Sequence, residues 1–308
     1  MDEFDIIARY FAPLAGEGAF GLADDAAVLP LWAGHDLIVT PDAMAEGTDF
    51  FPADPPDTVA QKALRANLSD LAAKGASPAY YLLNLTLPHN VTPAWLKEFA
   101  SGLKRDQEMF GISLLGGDTN AGSLSIAVTA FGFVREGRMV KRSGARVGDH
   151  VYVTGTIGDS GGGLAILHGE GAGLSTADRD SLISRYRVPE PPVNFGATGL
   201  GDVAHAGIDI SDGLIADLGH VAKASRVAIV VDGARVPLSP ALKALWGRDG
   251  LVRAVTAGDD YQIAFTGTPG ISGHFTAIGH VEKGSGVHLM VGGREVPVEK
   301  PGFRHFES

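Results

Sequence analysis

Aspartate recurs in this chain where apolar runs end. Asp24 and Asp25 stand in LADDAAVL, Asp42 in IVTPDAM, Asp70 in NLSDLAAKGA and Asp118 in LLGGDTN. Asp209 and Asp212 follow in IDISDGL, and Asp259 with Asp260 in TAGDDYQI. If these ends meet at one edge of a fold, several carboxylates converge. Two unit charges ~4 Å apart cost roughly 4 kcal/mol at an effective dielectric of about 20. A larger group cannot stay fully ionised without compensation. Divalent cations supply it, and a donor set made of oxygen alone suits Mg2+. Histidine and cysteine are absent from these stretches, which argues against zinc. Each aspartate also has a local reading. Asp212 can cap the helix that starts at Gly213, Asp118 and the Asp24–Asp25 pair can serve turns, and Asp70 can be a solvated helical residue. The context shared by all of them favours metal.

The cationic side is thinner. No GxxxxGK[ST] stretch is present, so a P-loop is absent. Gly161–Gly163 resemble a phosphate cradle, although close strand–helix packing is the preferred reading. Arg142, just before Ser143-Gly144, is either a phosphate contact or a linker residue. The formal net charge of −11 disfavours nucleic acid and anionic membrane as partners. It leaves room for a phosphate ligand, because bound cations reverse a local field. The chain has 42 glycines, many beside aspartate in GGDT, DGL and AGDD, as at tight turns where backbone approaches a ligand.

These residues need elements to position them. With 308 residues the chain suggests two domains, and the polar, glycine-broken RSGARVGD stretch places the boundary between 1–141 and 142–308. In the first part, an amphipathic helix over about 3–13 precedes two strand-like runs, AAVLPL and DLIVTPDAM. Residues 56–74 read as a helix, and YYLLNLTLP as a strand. Residues 92–111 read as a helix with Thr92 as cap, Pro93 in the first turn and Gly111 as stop. ISLLGGDT reads as a short strand entering a turn, and LSIAVTAFGFV as a long strand. In the second part HVYVTG, AGIDIS, RVAIVVD, DYQIAFTG, FTAIGHV and GVHLMV read as strands. GDSGGGLAILHG, about 175–200 and DGLIADLGHVAKAS read as helical. Such alternation means α/β or α+β layers. There is no cysteine, hence no disulfide or thiolate chemistry, in keeping with a cytoplasmic setting. The start MDEFDII lacks a basic signal region, and no apolar run spans a bilayer.

Taken together, DDAAVL, TPDAMAEGTDF, ALRANLSDLAAKGASP, LLGGDT, RSGARVGD, YVTGTIGDSGGGLAIL, IDISDGLIADLGH and AGDDYQIAFT resemble the thiamine-monophosphate kinase family, of the aminoimidazole ribonucleotide synthetase-like superfamily. The resemblance runs through almost the whole chain in family order. It implies a two-domain α/β fold whose N-terminal strands pair across a homodimer. It also implies transfer of the γ-phosphoryl group of ATP to thiamine monophosphate, giving thiamine diphosphate, with several Mg2+ ions. On that basis Asp25, Thr40, Asp42, Asp70, Asp118, Asp209 and Asp212 are metal ligands. Gly117, Asp118, Arg142 and Ser211 match nucleotide contacts. No general base is required, since a phosphate monoester is already largely ionised near neutral pH. Three positions depart from the family. Asp49, in EGTDF, stands where a histidine usually faces the thiamine phosphate, so it helps through metal or turns away. Asp259 replaces a glutamate that can accept from an aminopyrimidine. Phe303 stands where an aromatic ring covers the thiamine, or is a packed tail residue. Superfamily relatives that use a reactive cysteine are disfavoured, because this chain has none.

Overall fold

The computed structural model describes residues 3–305, apart from the side chains at 248 and 249. It divides into two units, one running to Leu71 and continuing over Ala76–Met139, the other made of Ala72–Gly75 with Val140 onward.

In the first unit, β1 (His35–Ala45), β2 (Ser77–Leu87), β3 (Ser113–Ala121) and β4 (Ser125–Arg135) form one sheet in the order β1-β4-β2-β3. The β2–β3 pair is parallel and the other pairs are antiparallel. Tyr81, Leu83, Leu85 and Leu87 are buried, whereas Leu82, Asn84 and Thr86 are not, so one face of β2 is covered. Helices α1 (Pro56–Ala73) and α2 (Pro93–Phe110) complete the unit. Helix α2 buries the stripe Leu96, Phe99, Ala100 and Leu103, the spacing of a single helical face. Thr92 Oγ1 accepts the Trp95 N–H at 3.1 Å, and Gly111 ends the helix with φ 66°, both as the sequence implies. Arg65 of α1 donates two hydrogen bonds to Asp106 of α2, each 2.8 Å, and Gln61 Nε2 donates a third at 2.8 Å. This buried clamp fixes α1 against α2, and α1 carries Asp70.

Three sequence expectations change in this unit. The opening helix is broken into an α turn (Glu3–Ile6), a π turn (Ile7–Phe11) and a 3₁₀ turn (Ala12–Leu14), with Pro13 unable to donate to a continuing helix. AAVLPL is irregular and mostly exposed rather than a strand; its Val28 N–H goes to Gly18 O in a loop contact. The GGDT stretch stays inside β3 instead of turning.

The second unit holds β5 (His150–Thr154), β6 (Ala206–Asp209), β7 (Ala228–Asp232), β8 (Ile263–Gly267), β9 (Phe275–Glu282), β10 (Gly286–Val291) and β11 (Arg294–Val296). Their order is β11-β10-β7-β9-β5-β8-β6. Its helices are α3 (Asp159–Leu167), α4 (Thr176–Arg187), α5 (Leu214–Ser225), α6 (Pro240–Trp246) and α7 (Leu251–Thr256). Leu214, Leu218 and Val221 of α5 bury against Val153, Ile208 and Ile229 of the sheet. A second core sets Tyr152 on Phe265 with ring centres 5.2 Å apart. The helical region expected over 175–200 is split after Arg187 by Pro189, Pro191 and Pro192. No helix among the described residues is long and apolar enough to cross a membrane.

Removing one partner of the α1–α2 clamp leaves a buried guanidinium uncompensated. Asp106→Ala should therefore lower unfolding free energy by about 3–5 kcal/mol, read from urea denaturation. A loss below about 1 kcal/mol would mean that water or another acceptor replaces the carboxylate.

Candidate functional site

Apart from Arg142 and Asp49, the predicted site residues fall into three groups. Two belong to the first unit and one to the second.

On β1, Thr40 Oγ1 donates to Asp70 Oδ2 at 2.5 Å, tying the strand to α1. Asp42 lies two residues further along, hence on the same face as Thr40, and is exposed. The second group lines a cleft of about 310 Å³ whose walls include Asp24, Asp25, Gly117 and Asp118, with Phe11 and Leu114 on its apolar side. The chain reaches this shape through Gly117, whose φ of 150° and position leave no room for a side chain. A Cβ there would stand 1.8 Å from Leu83 O. The sheet order puts these two groups on opposite edges. Between β1 and β3 lie β4 and β2, so Asp42 and Asp118 are three strand spacings apart, ~14 Å along the sheet. Asp49 is engaged locally: its Oδ2 accepts the Ala45 N–H at 2.8 Å and closes its own turn.

The third group gathers where β6 ends. Asp209, the last residue of β6, is buried. The loop 211–213 that follows is held by Asp217 from inside α5. Asp217 Oδ2 accepts the N–H groups of Ser211, Asp212 and Gly213, each at 3.1 Å. This corrects the capping expectation: the Asp212 side chain makes no capping bond to α5, whose start is Gly213 with φ 126°. The helix uses its own fourth residue instead. Asp212 is thereby left for other work. Two distant segments are tied to the same loop. Asp259 N–H donates to Ser211 O at 2.8 Å, and Phe303 N–H donates to Asp212 O at 2.9 Å. Thus IDISDGL, AGDDYQI and PGFRHF meet, bringing Ser211, Asp212, Asp259 and Phe303 together. Phe303 is half exposed rather than a packed tail residue. Burial, reinforced by the Asp212 charge, pushes the Asp217 carboxyl up to about 7 despite its three donors.

Arg142 is not brought to this loop within its unit. Ser225 Oγ, at the far end of α5, donates to Arg142 O at 3.3 Å. Helix α5 has 12 residues and is therefore ~18 Å long, with Ser211 and Asp212 at its other end. Gly161–Gly163 form no cradle. Added Cβ atoms would stand 2.3 Å from Ala257 Cβ, 2.6 Å from Leu242 Cδ1 and 2.2 Å from Leu182 O. The glycines allow helix–helix contact, where strand–helix packing was expected. The N-terminus of α3 is already filled by Asp260, whose oxygens accept from Gly158 N at 2.6 Å and Ser160 N at 3.3 Å.

Sequence reading missed the structural roles of Asp217 and Asp260, and missed His220. One ligand atom each of Asp212, Asp217 and His220 lie within 4.8 Å of one another. Asp217 and His220 are three residues apart on a helix, a spacing that puts them on one face. That was the available signal.

The two sheets with their helices, and carboxylates carried on strands, α1 and the loop after β6, define the class. Residues 23–134 match the family described as AIR synthase related protein, N-terminal domain. The thiamine-monophosphate kinase of Escherichia coli (strain K12) is 40% identical over 323 residues, covering 99% of this chain and 98% of its own length. A crystal structure of thiamine-monophosphate kinase from Stenotrophomonas maltophilia K279a aligns with a TM-score of 0.85 at 38% identity, covering 94% of this chain and 96% of that one. A structure described as AaThiL complexed with AMPPCP and TMP aligns with a TM-score of 0.82 at 33% identity, covering 94% and 97%. The chain belongs to the thiamine-monophosphate kinase family.

Asp260 yields a test of the α3 end. Burial pushes its carboxyl from 3.8 up to about 8, outweighing the two N–H donors. Between those values the folded chain keeps a proton that the unfolded chain releases. Its contribution to stability is therefore full below the unfolded value and is lost as pH rises towards 8. Asp260→Asn carries no charge in either state. Urea midpoints should fall less for this variant than for the wild type between about pH 5 and pH 8; equal falls in both proteins would show that Asp260 does not titrate in that window.

Proposed function

We propose that this chain transfers the γ-phosphoryl group of ATP to the phosphate of thiamine monophosphate, forming thiamine diphosphate and ADP. What supports this most is the full-length likeness to thiamine-monophosphate kinases, together with the related structure that holds AMPPCP and TMP. The meeting of Ser211, Asp212, Asp259 and Phe303 on one loop adds to it.

Both substrates are anionic at the reacting groups, so the protein's task is alignment and charge neutralisation. The donor chemistry fits Mg2+. The proposed ligands are Asp25, Thr40, Asp42, Asp70 and Asp118 in the first unit and Asp209 and Asp212 in the second, all presenting oxygen. Asp42 and Asp118 are exposed, and the Asp212 carboxylate is relieved of capping by Asp217. Magnesium, when bound, would supply positive charge to phosphate oxygens.

The side chains have separate tasks. Thr40 holds Asp70 in place through its hydroxyl. Gly117 lets the β3 backbone pass close to β2, leaving Asp118 at the cleft. Asp259, in a left-handed conformation with φ 66° and accepting from the Tyr261 hydroxyl at 3.2 Å, keeps a carboxylate for an aminopyrimidine. Phe303 offers a half-exposed ring to cover a planar heterocycle. Arg142 and Ser211 are assigned to the nucleotide, and Asp49 to the substrate side. No general base is needed, since the acceptor phosphate has a second pKa of about 6. The reading includes a cytoplasmic homodimer. Its support is that β1 is an edge strand and that Val39 on it is half exposed.

The test is ADP release coupled to a reporter enzyme, with thiamine diphosphate identified by chromatography. ADP should form only when ATP, Mg2+ and thiamine monophosphate are all present. Release that ignores thiamine monophosphate would refute the acceptor assignment, and full turnover in excess EDTA would refute the metal assignment. Asp212→Asn should lower turnover at least about a hundredfold while the urea midpoint stays near wild type. Unchanged turnover would remove Asp212 from the site.

A further inference from the structure

We propose that Ser225 is a positioning residue for the nucleotide, its hydroxyl holding the backbone that carries Arg142. The proposal deepens the nucleotide reading of Arg142 and rests on it. Ser225 is the last residue of α5, and Arg142 lies in the stretch that leads into β5. One hydroxyl makes three bonds to that stretch. Ser225 Oγ accepts the Gly144 and Ala145 N–H groups, each at 3.1 Å, and donates to Arg142 O at 3.3 Å. These bonds use its proton and both of its lone pairs.

The flanks of the stretch are tied by other means. Before Arg142, Lys141 O accepts the Gly207 N–H at 2.9 Å. After Ala145, Asp149 Oδ2 accepts the Arg146 N–H at 2.9 Å, and Gly148 N–H donates to Val281 O at 2.9 Å. Asp149 is itself held by His205 Nδ1, 2.9 Å from its Oδ1. Between these anchors, the backbone of 142–145 takes its hydrogen bonds from Ser225 alone among the described residues. Gly144 has φ 128°, and a Cβ there would stand 2.3 Å from His205 O. The turn therefore lies flush against the chain before β6, within reach of the end of α5.

Arg142 itself is exposed. An arginine side chain surrenders much rotamer freedom when it binds, and a fixed backbone leaves less to be ordered. Bidentate contact between a guanidinium and phosphate oxygens also depends on alignment. Without the Ser225 hydroxyl, two N–H groups and one carbonyl turn to water, and the backbone under Arg142 loosens. The close of α5 is kept, because the Arg226 N–H bonds to Ala222 O and Lys223 O.

The experiment measures binding of AMPPCP in the presence of Mg2+ by isothermal titration calorimetry. It compares the whole chain with Ser225→Ala, Arg142→Ala and the double variant, each checked for folding by far-ultraviolet circular dichroism. Ser225→Ala should weaken binding about three- to tenfold. In the Arg142→Ala background the same change should have no further effect, because the hydroxyl acts through that arginine. In turnover, KM for ATP should rise while kcat changes less. An equal loss in both backgrounds, or unchanged binding in Ser225→Ala, would overturn the positioning role and leave the nucleotide reading of Arg142 intact. AMPPCP binding by Arg142→Ala at wild-type strength would overturn both. Because binding is read directly, failure to phosphorylate thiamine monophosphate would refute the acceptor assignment and leave this result standing.

Discussion

The second unit's site depends on one carboxylate. Asp217 collects the N–H groups of Ser211, Asp212 and Gly213 on a single oxygen. Of these, only the Gly213 N–H is one of the donors of α5 that lack helical partners; Ser211 and Asp212 precede the helix. Without Asp217 the loop would have to cap itself, and Asp212 is the residue placed to do so. Because Asp217 ties the loop to the helix, the loop is held while the Asp212 side chain makes no capping bond. The backbone carbonyls of Ser211 and Asp212 can then anchor Asp259 and Phe303. A change at Asp217 would thus propagate to residues it does not touch.

The first unit solves a related problem with a sheet. Its acids are distributed over β1, β3 and α1 and held by different partners: Asp70 by the Thr40 hydroxyl, and Asp118 by a β3 backbone that can pass β2 only as glycine. The clamp between Arg65 and Asp106 sets α1 against α2, which determines where along β1 the Asp70 carboxylate arrives. A buried ion pair contributes little net stability over an apolar equivalent. Its effect here is on register, since two helices joined by a bidentate guanidinium cannot slide past one another.

Local physics made some of this legible in sequence. Helix α2 is bounded by Thr92 and Gly111 because capping is decided by the residues at the ends themselves. The strand at YYLLNLTLP shows in its alternation. The family resemblance pointed to the acids, and backbone bonds bring Ser211, Asp212, Asp259 and Phe303 together. What stayed hidden depends on pairing across long separations. Nothing near Asp42 or Asp118 indicates that two strands lie between them. Hydrophobic AAVLPL has strand composition but no strand beside it, and so remains irregular. The cap on α5 was assigned to Asp212 by position, whereas the residue that reaches all three N–H groups lies one turn inside the helix.

A wider consequence concerns how this chain can hold anions. Helix N-termini after glycine-rich turns are the usual backbone sites for phosphate. In the second unit the two helices that follow such turns, α3 and α5, both have one of the chain's own carboxyl groups at their start, Asp260 and Asp217. These carboxyl groups take the Gly158, Ser160 and Gly213 N–H groups, which leaves fewer backbone donors for a phosphate. With a formal net charge of −11 the rest of the chain offers little relief. Backbone donors at these two ends are therefore partly committed within the chain. Recognition of phosphorylated substrates must run through cations, either arginine or bound metal. The acids at the end of β6, Asp209 and Asp212, make the loop after it attractive to a dication. In that sense the crowding of aspartates disfavours phosphate binding without a compensating cation and favours it with one.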